Sequence, residues 1–209
     1  MEKKDKLLKL QDLTMYFFIC SFIGWLLEVA YAFSVYGTFV DRGFLRGPIC
    51  PIYGYGAVIM VLITDWIKKK KITNLLIIFA IVAVIATVLE YIASYFLELV
   101  FNLRWWDYTG YFLNINGRVC LIFSIFFGIA GVIFIKNIYP IMQKTFDKIR
   151  KKLSTKTIWI ILITLIILMT LDKGISALLY IDPELKYVDR RVILQKFKWN
   201  KPLLKRLIF

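Results

Sequence analysis

Five long apolar stretches, separated by short polar connections, make up most of the chain before residue 182. Each stretch has enough residues to cross a hydrocarbon layer of about 30 Å as a helix. Because a backbone in lipid must satisfy its own hydrogen bonds, we predict that all five are helical. This pattern predicts an all-α, polytopic transmembrane helix bundle over residues 1–181. The predicted spans are Leu13–Tyr36, Ile49–Ile67, Thr73–Phe101, Val119–Tyr139 and Thr157–Ile181.

Basic residues are distributed unequally between the two sets of connections. The N-terminus and the second and fourth connections hold fifteen Lys and Arg, whereas the first and third connections hold four. Since cytoplasmic connections carry the excess of Lys and Arg, we expect the N-terminus to be cytoplasmic. The first and third connections are then the outer ones.

The C-terminal segment, residues 182–209, departs from this rule. Five crossings place it outside, yet nine Lys and Arg lie between Lys173 and Arg206. Either the segment is a tolerated exception, or one predicted span does not cross completely. Its mixture of basic and large apolar residues is typical of an amphipathic tail on anionic lipid headgroups. The alternative is a solvated basic tail.

Composition places the chain in the membrane class and excludes several kinds of chemistry. Hydrophobic residues make up 60% of the sequence, against about 45–50% in a soluble domain. The absence of histidine excludes a Ser-His-Asp triad and a His-ligated metal, and three cysteines are too few for a four-cysteine zinc site. We therefore expect neither a metal nor a cofactor. The net charge of +14 is explained by the flanks of the spans, so nucleic acid is not an expected partner.

A short pattern recurs where each outer connection enters the following span. Gly47 and Cys50 recur 70 positions later as Gly117 and Cys120. Glu28 and Glu98 are also 70 positions apart. Alternatively, Glu28 matches Glu90, with eight extra residues in the second connection. The pattern indicates a parallel two-helix repeat. A chance likeness between apolar helices is the other interpretation.

Acidic residues inside the predicted spans are the first candidates for function. A charged side chain at the middle of a span costs roughly 2.5–3.5 kcal/mol on insertion scales, and such residues are functional candidates by default. Glu28 lies in the first span, and Glu90, Ser94 and Glu98 share one face of the third. We expect these two polar stripes to face each other or a wet cavity. The alternative is that each Glu pairs with an Arg and holds the bundle together.

The first outer connection is dense in charge and glycine. It contains Arg42, Arg46 and Gly47, and prolines at 48 and 51 follow. Because proline suits the first helical turn, we expect residues 47–51 to turn back and begin the second span. A helix N-terminus beside two arginines is suited to binding an anion. A tight structural turn with a Glu–Arg latch is the alternative.

The second outer connection carries a mixed cluster of charged and aromatic residues, Trp106, Asp107 and Tyr108, and ends at Arg118. Trp105 beside it is typical of the membrane–water interface. No residue is assigned to catalysis. The candidate residues for substrate binding or gating are Glu28, Arg42, Arg46, Cys50, Tyr53, Glu90, Ser94, Trp106, Asp107, Tyr108 and Arg118.

Several of these residues belong to motifs that resemble a known family. The motifs are FIGWLLE at 22–28, RGFLRGPICPIYG at 42–54, LEY at 89–91, WWDY at 105–108 and NGRVCL at 116–121. Over about residues 13–140 the chain is similar to a bacterial family of small membrane proteins, the ABC-transporter type IV permeases. The resemblance implies a permease role without indicating a substrate or a mechanism.

We therefore expect a transporter permease in the cell membrane, surrounded by lipid. The intramembrane carboxylates would bind a cation, a proton or a basic group, and the outer arginines would gate or bind an anionic part. The chain has no G-x-x-x-x-G-K-S/T motif, so ATP coupling would need a separate ATPase subunit. Five spans make a small pathway, which favours a homodimer.

Two other classes of function are compatible with the same residues. An intramembrane enzyme that acts on a lipid-linked substrate would use the carboxylates as acid and base, although the sequence shows no nucleophile–base pair. A membrane scaffold or sensor would hold every charge in a structural latch.

Overall fold

A computed structural model describes residues 2–37, 39, 45–101, 104 and 106–181. Within these ranges the chain contains helices and no strand, which confirms the predicted all-α class. Arg42, Trp105 and the predicted basic tail lie outside the described residues. The helices are α1 (Glu2–Tyr36), α2 (Pro51–Lys69), α3 (Leu75–Phe101), α4 (Leu121–Ile133), α5 (Tyr139–Lys152) and α6 (Thr155–Ile181).

Four helical stretches in the described part of the chain are long and apolar enough to cross a membrane. They confirm a polytopic helix bundle and correspond to four of the five predicted spans. The segment that does not qualify is α2, because its 19 residues include Asp65, Lys68 and Lys69 as well as two glycines. The four stretches are Asp5–Val35, Leu75–Val100, Leu121–Lys152 and Thr155–Leu178.

Many large apolar side chains of these helices lie on the surface. Leu76 is 77% exposed and Leu99 is 71% exposed, and many Ile, Leu and Phe side chains share this position. A water-soluble monomer rarely exposes apolar area of this extent. The surface is therefore suited to hydrocarbon chains.

The helix starts follow local sequence signals. Asn74 caps α3, since its Oδ1 accepts the backbone N–H groups of Leu76 and Ile77 at 2.9 and 3.3 Å. Ser154 precedes α6 and accepts the N–H of Thr157 at 3.1 Å. The second predicted span begins as a helix at Pro51 rather than at residue 49, which suits proline because its missing N–H is not needed there.

The fourth predicted span extends well beyond its expected end at Tyr139. A π-helical turn, Phe134–Ile138, joins α4 to α5 and ends two residues before Pro140. Inside a regular helix, proline would clash with the carbonyl four residues earlier, and a widened turn relieves such a clash. The helix therefore continues beyond Tyr139, where the predicted span ended.

The chain divides into two compact units. The first unit is Met1–Val58 together with Ile149–Phe209, and the second is Ile59–Lys148. In the first unit, α1 and α6 are in contact. The Nε2 of Gln11 donates to the carbonyl oxygen of Thr155 at 3.2 Å.

In the second unit, α3 and α4 pack closely because α4 presents glycines to α3. A side chain at Gly128 would collide with the ring of Phe79, and a side chain at Gly131 would collide with Val82. Small residues let helix backbones approach where lipid provides no hydrophobic driving force between helices. This packing holds α3, whose second half carries Glu90 and Glu98, against α4.

Candidate functional site

Arg118 is buried at the centre of a polar cluster in the second unit, with 9% of the residue exposed. Its Nη2 lies 2.5 Å from Oε2 of Glu98, and its Nη1 donates to Oγ of Ser94 at 3.3 Å. The guanidinium carbon also lies 5.3 Å from the centre of the Tyr95 ring. A buried cation is stable only when it is paired and hydrogen-bonded, and these contacts meet that need. The cluster therefore joins α3 to the residue that leads into α4.

Arg104 extends this cluster into the outer connection. Its Nε donates to Oε1 of Glu98 at 3.2 Å, and its Nη1 lies 3.8 Å from Oδ1 of Asp107. The same Asp107 oxygen accepts the hydroxyl and the backbone N–H of Thr109 at 2.5 and 2.9 Å. The Thr109 hydrogen bonds, and after them the charge of Arg104, hold the pKa of Asp107 below its usual range.

This lowered pKa predicts that the turn at Asp107 loosens only in acid. A group with a lowered pKa stabilises the folded state fully above its unfolded pKa, about 3.9 for Asp. That stabilisation is lost as the pH falls through the still lower folded pKa. We expect hydrogen-exchange protection at the Thr109 amide, corrected for intrinsic rates, to fall below about pH 4. Asp107→Asn keeps an acceptor oxygen but gains no proton, so an equal acid step in that variant would contradict the assignment.

Trp106 and Tyr108 point their polar atoms at different partners. Nε1 of Trp106 donates to the carbonyl oxygen of Arg118 at 2.9 Å, and the Tyr108 hydroxyl donates to Oε1 of Glu90 at 3.0 Å. The Tyr108 ring stacks on Phe123 with centroids 4.6 Å apart. Burial, and then the negative charge of Glu90, raise the pKa of Tyr108. The tyrosine therefore keeps its proton and remains a donor to Glu90.

The two carboxylate oxygens of Glu90 differ in their hydrogen bonding. Oε2 is buried and accepts no hydrogen bond from the residues that the structure describes. A buried polar atom that lacks a partner costs about 1–3 kcal/mol, and more if it is charged. This oxygen is suited to holding a proton or to contacting a bound cation.

In the first unit, Glu28 lines an open cavity of about 380 Å³. Leu27, Tyr31 and Tyr53 line the same cavity. The Tyr53 hydroxyl donates to Oε1 of Glu28 at 2.7 Å, so α2 holds the carboxylate of α1. The Tyr53 ring lies so close to the α1 backbone that any side chain at Gly24 would collide with it.

The connection before α2 binds a carboxylate from the chain itself. The backbone N–H groups of Arg46 and Gly47 donate to Asp172 of α6, at 2.9 Å for the bond from Gly47. The N–H of Cys50 donates to the carbonyl oxygen of Ser21 at 3.0 Å, and the Cys50 residue is buried. These two N–H groups therefore bind the Asp172 carboxylate, and anion binding by this segment stays a prediction.

The sequence-predicted residues fall into separate groups of contacts. In the second unit, Glu90 contacts Tyr108. Arg118 contacts both Ser94 and Trp106. Asp107 contacts Arg104 and Thr109. The first unit brings together Glu28 and Tyr53. Mutual facing of the two acidic stripes stays a prediction.

The candidate residues selected from the sequence did not include Asp172, Arg104, Glu98 or Tyr95. Asp172 carried the same signal as the other acidic residues in apolar spans, and it could have been found that way. Arg104 and Glu98 are charged residues flanking the membrane that were given lesser roles. Tyr95 carried no signal, because only packing shows which ring lies on a guanidinium. In the described part of the chain, no group of three or more His, Cys, Asp or Glu residues is arranged to hold a metal ion.

The long apolar helices and the polar groups held within them define a multi-pass membrane protein. A family model described as "Putative ABC-transporter type IV" matches residues 15–177. The chain therefore belongs to this ABC-transporter family, as the motifs at its outer connections predicted. No curated protein and no solved structure matches the chain.

Proposed function

We propose that this protein is the membrane-spanning permease of a transport system whose ATPase is a separate subunit. Membership of an ABC-transporter family and the apolar helices support this role. The sequence has no P-loop motif, which supports ATP binding by a separate subunit. The excess of basic residues at the N-terminus supports its cytoplasmic position. We further propose that two copies assemble to enclose the pathway.

The observation that carries the proposal is the contrast between two acidic residues of α3. Both oxygens of Glu98 are engaged by arginines, Arg118 and Arg104, which is what a structural latch requires. Glu90 receives one hydrogen bond from Tyr108, and its other oxygen is buried without a donor among the described residues. A carboxylate kept in an apolar span at this cost is better explained by a transported proton or cation than by stability.

In this proposal the residues have distinct roles. Glu90 accepts the proton or cation, and Tyr108 holds one of its oxygens in place. Arg118 joins α3 to the outer connection, which keeps Glu90 and Tyr108 at a constant separation. Arg42 and Arg46, on the other outer connection, gate the pathway or attract an anionic part of the substrate.

The test is transport by a Glu90→Gln variant. Everted membrane vesicles from cells that produce the chain would be given ATP and the small solutes of a cell extract. Mass spectrometry of the vesicle contents would identify solutes that accumulate only when the chain is present. We expect Glu90→Gln to reduce this accumulation about tenfold or more, which corresponds to a loss of about 1.4 kcal/mol or more. We expect its thermal unfolding midpoint to stay the same or rise.

The matched control is Asp5→Asn, which removes one negative charge from an exposed position of α1. It should accumulate solutes like the wild type. If no solute depends on the wild-type chain, the permease role is wrong. If Glu90→Gln transports normally, or if it loses stability together with transport, Glu90 is a structural residue and the scaffold alternative is favoured.

A further inference from the structure

We infer that the connection between α3 and α4, residues 106–120, folds back into the membrane and places an apolar tip among the hydrocarbon chains of lipid. The tip consists of Tyr111, Phe112, Leu113 and Ile115. Three features of the second unit support this position. They are the level at which the connection contacts α3, the hydrogen bonding of its backbone, and the exposure of its apolar side chains.

The connection contacts α3 well before the end of that helix. The Tyr108 hydroxyl donates to Oε1 of Glu90 at 3.0 Å. Nδ2 of Asn116 donates to the Tyr91 hydroxyl at 2.9 Å. Glu90 and Tyr91 lie about ten positions before the last residue of α3, which corresponds to about 15 Å along a helix. Both belong to Leu75–Val100, the stretch of α3 that is long and apolar enough to cross a membrane. Parts of the connection therefore lie at a depth where hydrocarbon surrounds the helices.

The first turn of α4 lies at the same level. Oγ1 of Thr87, one turn before Glu90 on α3, donates to Oγ of Ser124 at 2.7 Å. The ring of Tyr111, at the tip, lies beside the ring of Phe123 with centroids 5.9 Å apart. Since α3 continues beyond this level and α4 begins at it, the connection occupies the space beside the last turns of α3.

The backbone of the connection is largely hydrogen-bonded within the connection itself, as an irregular segment at this depth requires. The N–H of Tyr108 donates to the carbonyl oxygen of Gly117 at 2.7 Å, and the N–H of Gly117 donates to Oδ1 of Asn114 at 3.1 Å. Gly117 has a φ of +67°, and a side chain there would collide with Asp107 and Thr109, so this compact turn needs glycine. The other backbone N–H groups with a partner inside the connection are those of Thr109, Tyr111, Asn114, Ile115 and Arg118.

The tip presents large apolar side chains outward. Phe112 is 77% exposed and Leu113 is 62% exposed, and residues 108–117 contain no charged side chain. Exposed apolar clusters of this kind indicate contact with a membrane or a partner. The neighbouring surface of α3, with Phe96 and Leu99 exposed, is equally apolar. Because the tip lies at the level of membrane-spanning helix, lipid hydrocarbon is the partner that its position favours.

The experiment measures the surroundings of the tip by electron paramagnetic resonance. A nitroxide is attached to a Phe112→Cys variant of the full chain in phospholipid vesicles, and the signal of wild-type chain treated in the same way is subtracted. Oxygen concentrates in hydrocarbon, whereas a water-soluble nickel chelate is excluded from it. We expect the ratio of oxygen to chelate collision rates to match that of Leu99→Cys on α3. It should exceed several-fold the ratio for Lys148→Cys, at an exposed basic position of α5.

Ile115→Cys provides a second label position on the same tip, where the side chain is 57% exposed and folding is little affected. A ratio as low as that of Lys148→Cys at either position would place the tip in water and overturn the inference. Low collision rates with both reagents would show that protein covers the tip, which also overturns it. The measurement needs neither a solute nor an ATPase. A failure of the permease proposal would therefore leave this result unchanged.

Discussion

Arg118→Ala is expected to lower the free energy of unfolding by about 3 kcal/mol. The Arg118 side chain is only 11% exposed, and it bonds to Glu98 and Ser94 while lying against the Tyr95 ring. Its removal deletes charge-assisted hydrogen bonds from a desolvated site and also leaves a gap in the packing. Unfolding in detergent, followed during titration with a denaturing surfactant, would measure the loss.

Arg104→Ala is the matched control, because Arg104 contacts the same carboxylate. Its side chain is 37% exposed, and exposed ion pairs contribute only about 0–1 kcal/mol. We therefore expect only a small change in the free energy of unfolding, because solvent screens the exposed ion pair between Arg104 and Glu98. If the two alanine variants were equally stable, burial of Arg118 would not be the source of its contribution.

Gly54→Ala is expected to destabilise the protein by about 2–3 kcal/mol. A methyl group there would lie 2.6 Å from the backbone oxygen of Phe17 and 2.7 Å from the ring of the same residue, and it would also collide with Oγ of Ser21. A backbone atom of α1 cannot move aside as the end of a flexible side chain can. The first turns of α2 would have to shift away from α1, which would also move Tyr53.

Gly56→Ala is the opposite case on the same helix. Nothing lies within 4 Å of the methyl group that it adds. Alanine is a better helix former than glycine by about 0.8–1.0 kcal/mol, so this variant should be as stable as the wild type or more so. Thermal unfolding of the two variants in the same detergent would compare them. Equal stability would show that α1 and α2 are not in close contact at Gly54.

Local signals in the sequence were enough for most helices, but not for every boundary. Hydropathy and length identified the stretches that became α1, α3, α4 and α6, and Asn74 and Ser154 cap two of them as such residues usually do. The same signals placed the end of the fourth span at Tyr139. The π-helical turn before Pro140 lets the helix continue to Lys152. Such a widened turn has no clear local signature.

The candidate site was also only partly predictable from the sequence. A charge in an apolar span is visible in the sequence, so Glu28 and Glu90 could be selected without coordinates. Their different surroundings could not be read in this way. Whether a carboxylate meets an arginine, as Glu98 does, or a tyrosine, as Glu90 does, depends on how α3 packs against the residues that follow it.

The sequence by itself determined which segments are helical and apolar and which acidic residues they carry, because those properties depend on neighbouring residues alone. The tertiary structure decided the partners of those acids. The amide of Arg46 reaches Asp172 across 126 positions of sequence, and Tyr53 reaches Glu28 across 25. Contacts of this kind arise only when whole helices pack, since helix rotation and close approach at residues such as Gly24 and Gly54 determine which side chains meet.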